Sequence, residues 1–196
     1  MRTRNTDKVA LVKQRAMEMA VKEGLEGFSV NKLAKACNIS VATLYIYYKD
    51  KDDLIMQIAL EEGNKMTEAT MKNFDPEMRF EAGLKQQWKN RSTYMLENPS
   101  SMLFFEQLRS SSYHERIMKS YIEAFKKNMG RFTQNAIDRG EINKMSPEVY
   151  WSIAFGPLYT LIRFHNEGSS IGGLPFSLNE KVLWQTFDLV IKALTP

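Results

Sequence analysis

Apolar residues recur at spacings of three and four along almost the whole chain, a rhythm that admits helices and little else. In residues 7–23 they fall at Val9, Val12, Ala16, Met19 and Ala20, one stripe of a single helix, which Gly24 and Gly27 end. Ser29 precedes Val30, Leu33 and Ala34 as the N-cap of a short second helix. Asn38 breaks that helix, and Ser40 caps a third from Val41 to Tyr47. Asp50 caps a fourth that reaches about Asn73, with Asp52 and Asp53 where the helix dipole favours negative charge. A fifth is predicted from near Pro76 to about Asn98, a sixth from Pro99 to about Ser110, and a long seventh from about Ser112 to Arg139. The seventh would place Ile117, Tyr121, Phe125, Met129, Phe132 and Ala136 on one face. An eighth starts at Ser146-Pro147 and ends near Gly168, with Gly156-Pro157 expected to kink it. After a Gly/Ser-rich loop to Ser177, a last helix carries Leu183, Phe187, Val190, Ile191 and Leu194. The expectation is an all-α fold of about nine helices.

At 196 residues the chain is one domain or two small ones. The single cysteine, Cys37, rules out an internal disulfide and reads as a small buried side chain. The N-terminus is basic but no apolar signal core follows, and no run approaches 18 apolar residues. A soluble cytoplasmic protein without membrane contact is therefore expected. The formal net charge of +4 is unevenly spread. Residues 1–51 carry ten Lys/Arg against five Asp/Glu, and the remainder seventeen against eighteen. That asymmetry suggests a polyanion partner for the first quarter, although a solvated basic face accounts for it equally well.

Residues 29–47 have the form of a helix-turn-helix, a unit too small to bury its own core and in need of a third, bracing helix. The stripe of residues 7–23 supplies one. Leu33, Ala34, Ile39 and Leu44 would lock the pair, and Asn38 tolerates the left-handed turn. The second helix of the pair would present Val41, Ala42, Thr43, Tyr45 and Tyr47 with few charges. Small residues and hydroxyls suit base edges, and tyrosine hydroxyls suit phosphates. Tyr45 and Tyr47, two apart, cannot share a face, so at least one points outward. Lys51, beside the amides that start the next helix, could share a phosphate with them, or be a plain surface lysine.

The run from Gly27 to Leu54 (GFSVNKLAKACNISVATLYIYYKDKDDL) resembles the DNA-binding signature of the TetR family of bacterial transcription regulators. The resemblance implies a DNA-binding domain over residues 1–50 and a dimerisation and ligand-binding domain over 51–196. It implies contacts to double-stranded operator DNA from Ser29 and Asn31, from Ser40, Val41 and Ala42 opening the recognition helix, and from Thr43, Tyr45, Tyr47 and Lys51. Two positions depart from the family pattern. Asn38 stands where glycine is usual, and Tyr48 replaces a phenylalanine, so that its hydroxyl needs a partner or solvent.

Beyond residue 51 the chain is rich in aromatic residues and methionine, which build cores and also line adaptable cavities. Trp88, Met95, Met102, Phe105, Tyr121, Phe125, Phe155 and Tyr159 are the candidates for contacting a hydrophobic or aromatic effector. By position in the family, the last two helices form the dimer interface. Trp151, Tyr159, Ile162, Trp184, Phe187 and Ile191 belong to that interface or to the core beside it. Gly63 interrupts the connecting fourth helix as a bend or hinge. No His/Cys/Asp cluster has metal-ligand spacing, no phosphate loop matches, and no cofactor or enzymatic role is indicated. The expected function is a homodimeric repressor that leaves a palindromic operator when a small effector binds. A DNA-binding activator or ligand-independent regulator is the alternative.

Overall fold

The computed structural model describes residues 3–196, and side-chain surroundings from Lys8 onward except at Ile122, Ala124 and Phe125. Among the described residues there are eleven α-helices, one π-helical segment and no strand, only an isolated bridge between Ser169 and Pro175. The helices are α1 (Thr3–Gly27), α2 (Val30–Ala36), α3 (Val41–Tyr47), α4 (Lys51–Met71), α5 (Phe80–Glu97), α6 (Pro99–Arg109), α7 (His114–Phe125), α8 (Arg131–Asp138), α9 (Pro147–Ala154), α10 (Gly156–Glu167) and α11 (Glu180–Leu194). They form two compact units. The first takes residues 1–65 and 98–121, the second 66–97 and 122–196.

Two long predicted helices are each split, which accounts for eleven rather than nine. Between α7 and α8 the chain forms a π-helix, Lys126–Gly130. Ile117, Tyr121, Phe125 and Met129 repeat strictly every four residues, which slips about 40° per repeat on an ideal α-helix of 3.6 residues per turn. A wider π turn takes up that slip. The stripe then serves two cores, with Ile117 and Tyr121 in the first unit and Met129, Phe132 and Ala136 in the second. The second split follows from Pro157, which has no N–H for the ladder; α9 stops at Ala154 and α10 starts at Gly156. The Trp88 indole N–H donates to the Ala154 carbonyl at 2.8 Å, satisfying a group at the end of α9. The fifth helix begins at Phe80 and not near Pro76. Asn73 takes a positive φ of 56°, and the Asp75 carboxylate caps a turn by accepting from the Glu77 amide.

In the first unit the α1 stripe of Val12, Ala16 and Ala20 packs with Leu33 and Ala34 of α2, Leu44 of α3 and Leu54, Ile55, Ile58 and Ala59 of α4. Phe104 and Leu108 of α6 and Ile117 of α7 complete it. Gly63 lies in an uninterrupted α4 and has a packing reason to be glycine. A Cβ there would stand 2.6 Å from Cζ of Tyr121, whose hydroxyl donates to the Leu60 carbonyl. Close approach, not the expected bend, is what that glycine provides.

The second unit buries Phe80, Leu84 and Trp88 of α5 against Phe132 and Ala136 of α8, Phe155, Leu158 and Ile162 of α9–α10, and Phe187 and Leu194 of α11. Ile162 and Phe187 are therefore core, while Trp151, Tyr159, Trp184 and Ile191 are half-buried at its margin. Gly83 lets the Phe132 ring lie on α5, where a Cβ would come within 2.7 Å of its Cζ. Alanine raises helix propensity by about 1 kcal/mol over glycine, whereas overpacking a core costs about 1–3 kcal/mol. Gly83→Ala is expected to lower the melting temperature, and Phe132→Leu in that background to recover part of it. A Gly83→Ala protein melting at or above wild type would show that the close approach is not what requires glycine.

Candidate DNA-binding interface

The pair α2–α3 owes its shape to local contacts. Ser29 caps α2 by accepting from the Lys32 amide, and Ser40 caps α3 by accepting from the Thr43 amide at 3.1 Å. Asn38 adopts φ 52°, the left-handed conformation the turn demands. Leu44, 1% exposed, seats α3 on the common core, and Val41 and Tyr47 lean against the same core half-buried. The remaining face of α3 is open. Ser40 and Ala42 are exposed, Thr43 is half-buried, Tyr45 is 53% exposed and Ile46 75%. Of the two tyrosines, Tyr45 is thus the outward one. Asn31 is exposed on α2 and Ser29 half-buried at its start.

The Ser40 and Thr43 hydroxyls are 2.8 Å apart and hydrogen-bonded, which orients both at the open end of α3. Lys51 is partly committed inward. Its ammonium donates to the Leu25 carbonyl at 2.7 Å and sits 5.7 Å from the Phe28 ring centroid. It ties the end of α1 to the start of α4, leaving other N–H groups for an anion. Asp50 accepts from the Asp53 amide, and the Asp53 carboxylate accepts from the Lys49 amide, so the turn before α4 is held by its own carboxylates. The Lys49 amide and the Gln57 side chain hold the Asp53 carboxyl below its ordinary range. Ile46 is not singled out by the sequence analysis, yet it is more exposed than Tyr45. Its place beside Tyr45, away from Leu44, is the signal that was there.

Cys37 is buried, and burial pushes its thiol upward, the reverse of a reactive cysteine. Tyr48 is also buried, and its hydroxyl has no hydrogen-bond partner among the described residues. Burial, with smaller contributions from Glu61 and Asp53, pushes the Tyr48 phenol up to about 12.

The effector candidates are divided between the two units. Met102, Phe105 and Tyr121 belong to the first unit, with Phe105 and Tyr121 packed against its core. Trp88, Met95, Phe155 and Tyr159 belong to the core of the second unit or its margin. The Phe125 side chain lies outside the described residues. Sequence reasoning missed Arg91, which falls in the buried stripe of α5 between Trp88 and Tyr94. Among the described residues no group of three His, Cys, Asp or Glu could hold a metal ion, and no helix is long and apolar enough to cross a membrane.

A capped seven-residue helix, seated by one leucine behind a second helix and open on its other face, defines a helix-turn-helix DNA-binding module. Residues 14–58 match the bacterial regulatory proteins of the TetR family. An uncharacterised HTH-type transcriptional regulator of Haemophilus influenzae is 31% identical over 120 residues, 61% of this chain. The chain spans 64% of that relative's length. A TetR family transcription regulator from Marinobacter aquaeolei VT8 superposes with a TM-score of 0.76 at 25% identity, over 100% of this chain and 99% of that one. A TetR-family regulator from Haemophilus influenzae RD shares the fold, with a TM-score of 0.74 at 24% identity over 98% of both chains. Residues 14–58 thus match the TetR family's DNA-binding region, and the chain as a whole shares the fold of solved TetR family regulators.

Removing the orphaned Tyr48 hydroxyl should relieve the cost of burying it. Tyr48→Phe is expected to stabilise the protein by about 1 kcal/mol in denaturant unfolding. A phenol raised in the folded state contributes stability below its unfolded pKa and loses it as pH rises towards about 12. Between pH 10 and 12 the melting temperature of wild type should therefore fall more steeply than that of Tyr48→Phe. Parallel curves, or a destabilised variant, would mean the hydroxyl is satisfied in solution.

Proposed function

We propose that the protein is a ligand-responsive repressor that binds a palindromic operator as a homodimer and leaves it when a small effector binds. The observation that carries this is the open face of α3, with Ser40, Ala42, Thr43, Tyr45 and Ile46 available while Leu44 anchors the helix. Ser40, Val41, Ala42 and Thr43 open the recognition helix in the major groove, with Tyr45 beside them. Ser29, Asn31, Tyr47 and Lys51 contact the backbone. Residues 1–50 act as the DNA-binding domain and 51–196 as the effector-binding and dimerisation domain, in a cytoplasmic protein. Two copies of α3 would meet successive major grooves with centres roughly 34 Å apart. The effector is hydrophobic or aromatic and is taken up by the second unit near Met95, Phe155 and Tyr159. It favours a dimer whose recognition helices no longer match that spacing, with a coupling of about 1–3 kcal/mol.

Selection of bound fragments from genomic DNA should return a palindrome, and sedimentation should give twice the 22.7 kDa chain mass. Tyr45→Ala is expected to reduce operator affinity at least tenfold with an unchanged melting temperature, since that side chain is open to solvent. Lys51→Ala should weaken binding evenly across sequences and lower the salt slope by about one. Operator affinity indifferent to Tyr45→Ala, or a Lys51→Ala loss confined to one base pair, would overturn these assignments.

A further inference from the structure

A guanidinium lies buried inside the second unit with no carboxylate paired to it among the described side chains. Arg91, on the inner face of α5, is 7% exposed. Its Nε donates to the Gln87 side-chain oxygen at 3.1 Å and its Nη1 to the Tyr159 hydroxyl at 2.9 Å. Gln87 is itself held by donating to the Thr70 carbonyl at 2.9 Å, so its oxygen is fixed towards Arg91. The guanidinium carbon lies 4.6 Å from the Phe155 ring centroid and 5.4 Å from that of Trp151. No ion pair joins Arg91 to an acidic residue among the described side chains, whereas Arg79, Arg131 and Arg139 of the same unit each have a glutamate. An arginine cannot discharge itself by losing a proton, so the cost of burial stays until an anion arrives. Ring faces offset part of that cost and leave N–H donors over.

A second, independent observation points to the same place. Tyr150 is 5% exposed and its hydroxyl has no hydrogen-bond partner among the described residues. Its ring lies edge-on to that of Phe155, with 6.3 Å between centroids, the same ring that the Arg91 guanidinium covers, and burial pushes its phenol well above the ordinary tyrosine range. Tyr159 accepts from Arg91, so its own O–H hydrogen remains to donate to a second acceptor. A cation and two phenol donors form a set that suits a carboxylate. Half-buried Trp151, Tyr159 and Met95, one turn along α5 from Arg91, supply apolar surface for what the carboxylate is attached to.

We propose that the second unit binds a small organic acid, its carboxylate on the Arg91 guanidinium and the Tyr150 and Tyr159 hydroxyls, its apolar or aromatic body against Trp151 and Met95. The proposal rests on the effector-responsive reading and narrows the effector from hydrophobic compounds in general to monoanionic ones.

The test uses the full chain and matched probes. 4-Phenylbutyrate and decanoate are titrated calorimetrically, each against its primary amide, which keeps the body and removes the charge. The acids are expected to bind at least tenfold tighter than the amides. Arg91→Met should abolish that preference, and Tyr150→Phe should weaken the acids several-fold while leaving the amides alone. Equal binding of acids and amides, no binding of either acid, or a preference that survives Arg91→Met would overturn the site. Should Arg91→Met fail to fold, the wild-type ratio and Tyr150→Phe decide. Operator release is measured separately. Acids that bind with this preference but do not release DNA uphold the site and remove the effector reading. Release by the amides with no binding of the acids does the opposite.

Discussion

Burial of Leu44 is the contact on which the recognition surface depends. A seven-residue helix is far below the length at which isolated helices are stable in water. α3 therefore exists because one side chain is driven into a core shared with α1, α2 and α4. That anchor also fixes rotation. With Leu44 inward, Tyr45 and Ile46 point out, and Val41 and Tyr47 are left at the margin. The serine caps at residues 29 and 40 and the left-handed Asn38 set where the two helices begin and how they turn. Hydrophobic burial supplies the energy of the motif, and short-range polar contacts supply its angle.

The parts of the fold legible in the sequence are those specified within a few residues. The caps of α2, α3, α9 and the break at Gly156-Pro157 all stand where the local residues place them. The π segment was not legible, since nothing between Lys126 and Gly130 announces that the helix must serve two cores. Gly63 reads as a bend or hinge in its helix and Gly83 draws no attention, because the rings that rest on them come from residues 58 and 49 positions away along the chain. Lys51 shows a related limit. Its charge and place at a helix start are in the sequence, but its bond to the Leu25 carbonyl is a tertiary fact. In the second unit Arg91 is not singled out by the sequence analysis, though its step in the α5 stripe places it inside with Trp88 and Tyr94.

The two cores differ in chemistry. The first is mainly aliphatic around the motif, with Phe28 and Tyr48 at its two ends, and Leu33, Leu44, Leu54, Ile55 and Ile58 have few ways to repack. The second stacks aromatic rings, with Phe80 on Phe132, Trp88 edge-on to Phe187 and Phe155 over Tyr159, and holds Gln87 and Arg91 among them. Rings and buried polar groups specify a particular arrangement while leaving it sensitive to whatever satisfies the polar ones.

The bond from the Trp88 indole to the Ala154 carbonyl has an evolutionary corollary. A helix end sealed by a side chain from another helix makes two remote stretches of sequence answerable to one atom pair. A lineage that straightened the α9–α10 segment would strand an indole, and one that lost the indole would strand a carbonyl. Substitutions at position 88 and around 154–157 should accordingly travel together among descendants of this chain, as an inherited pair.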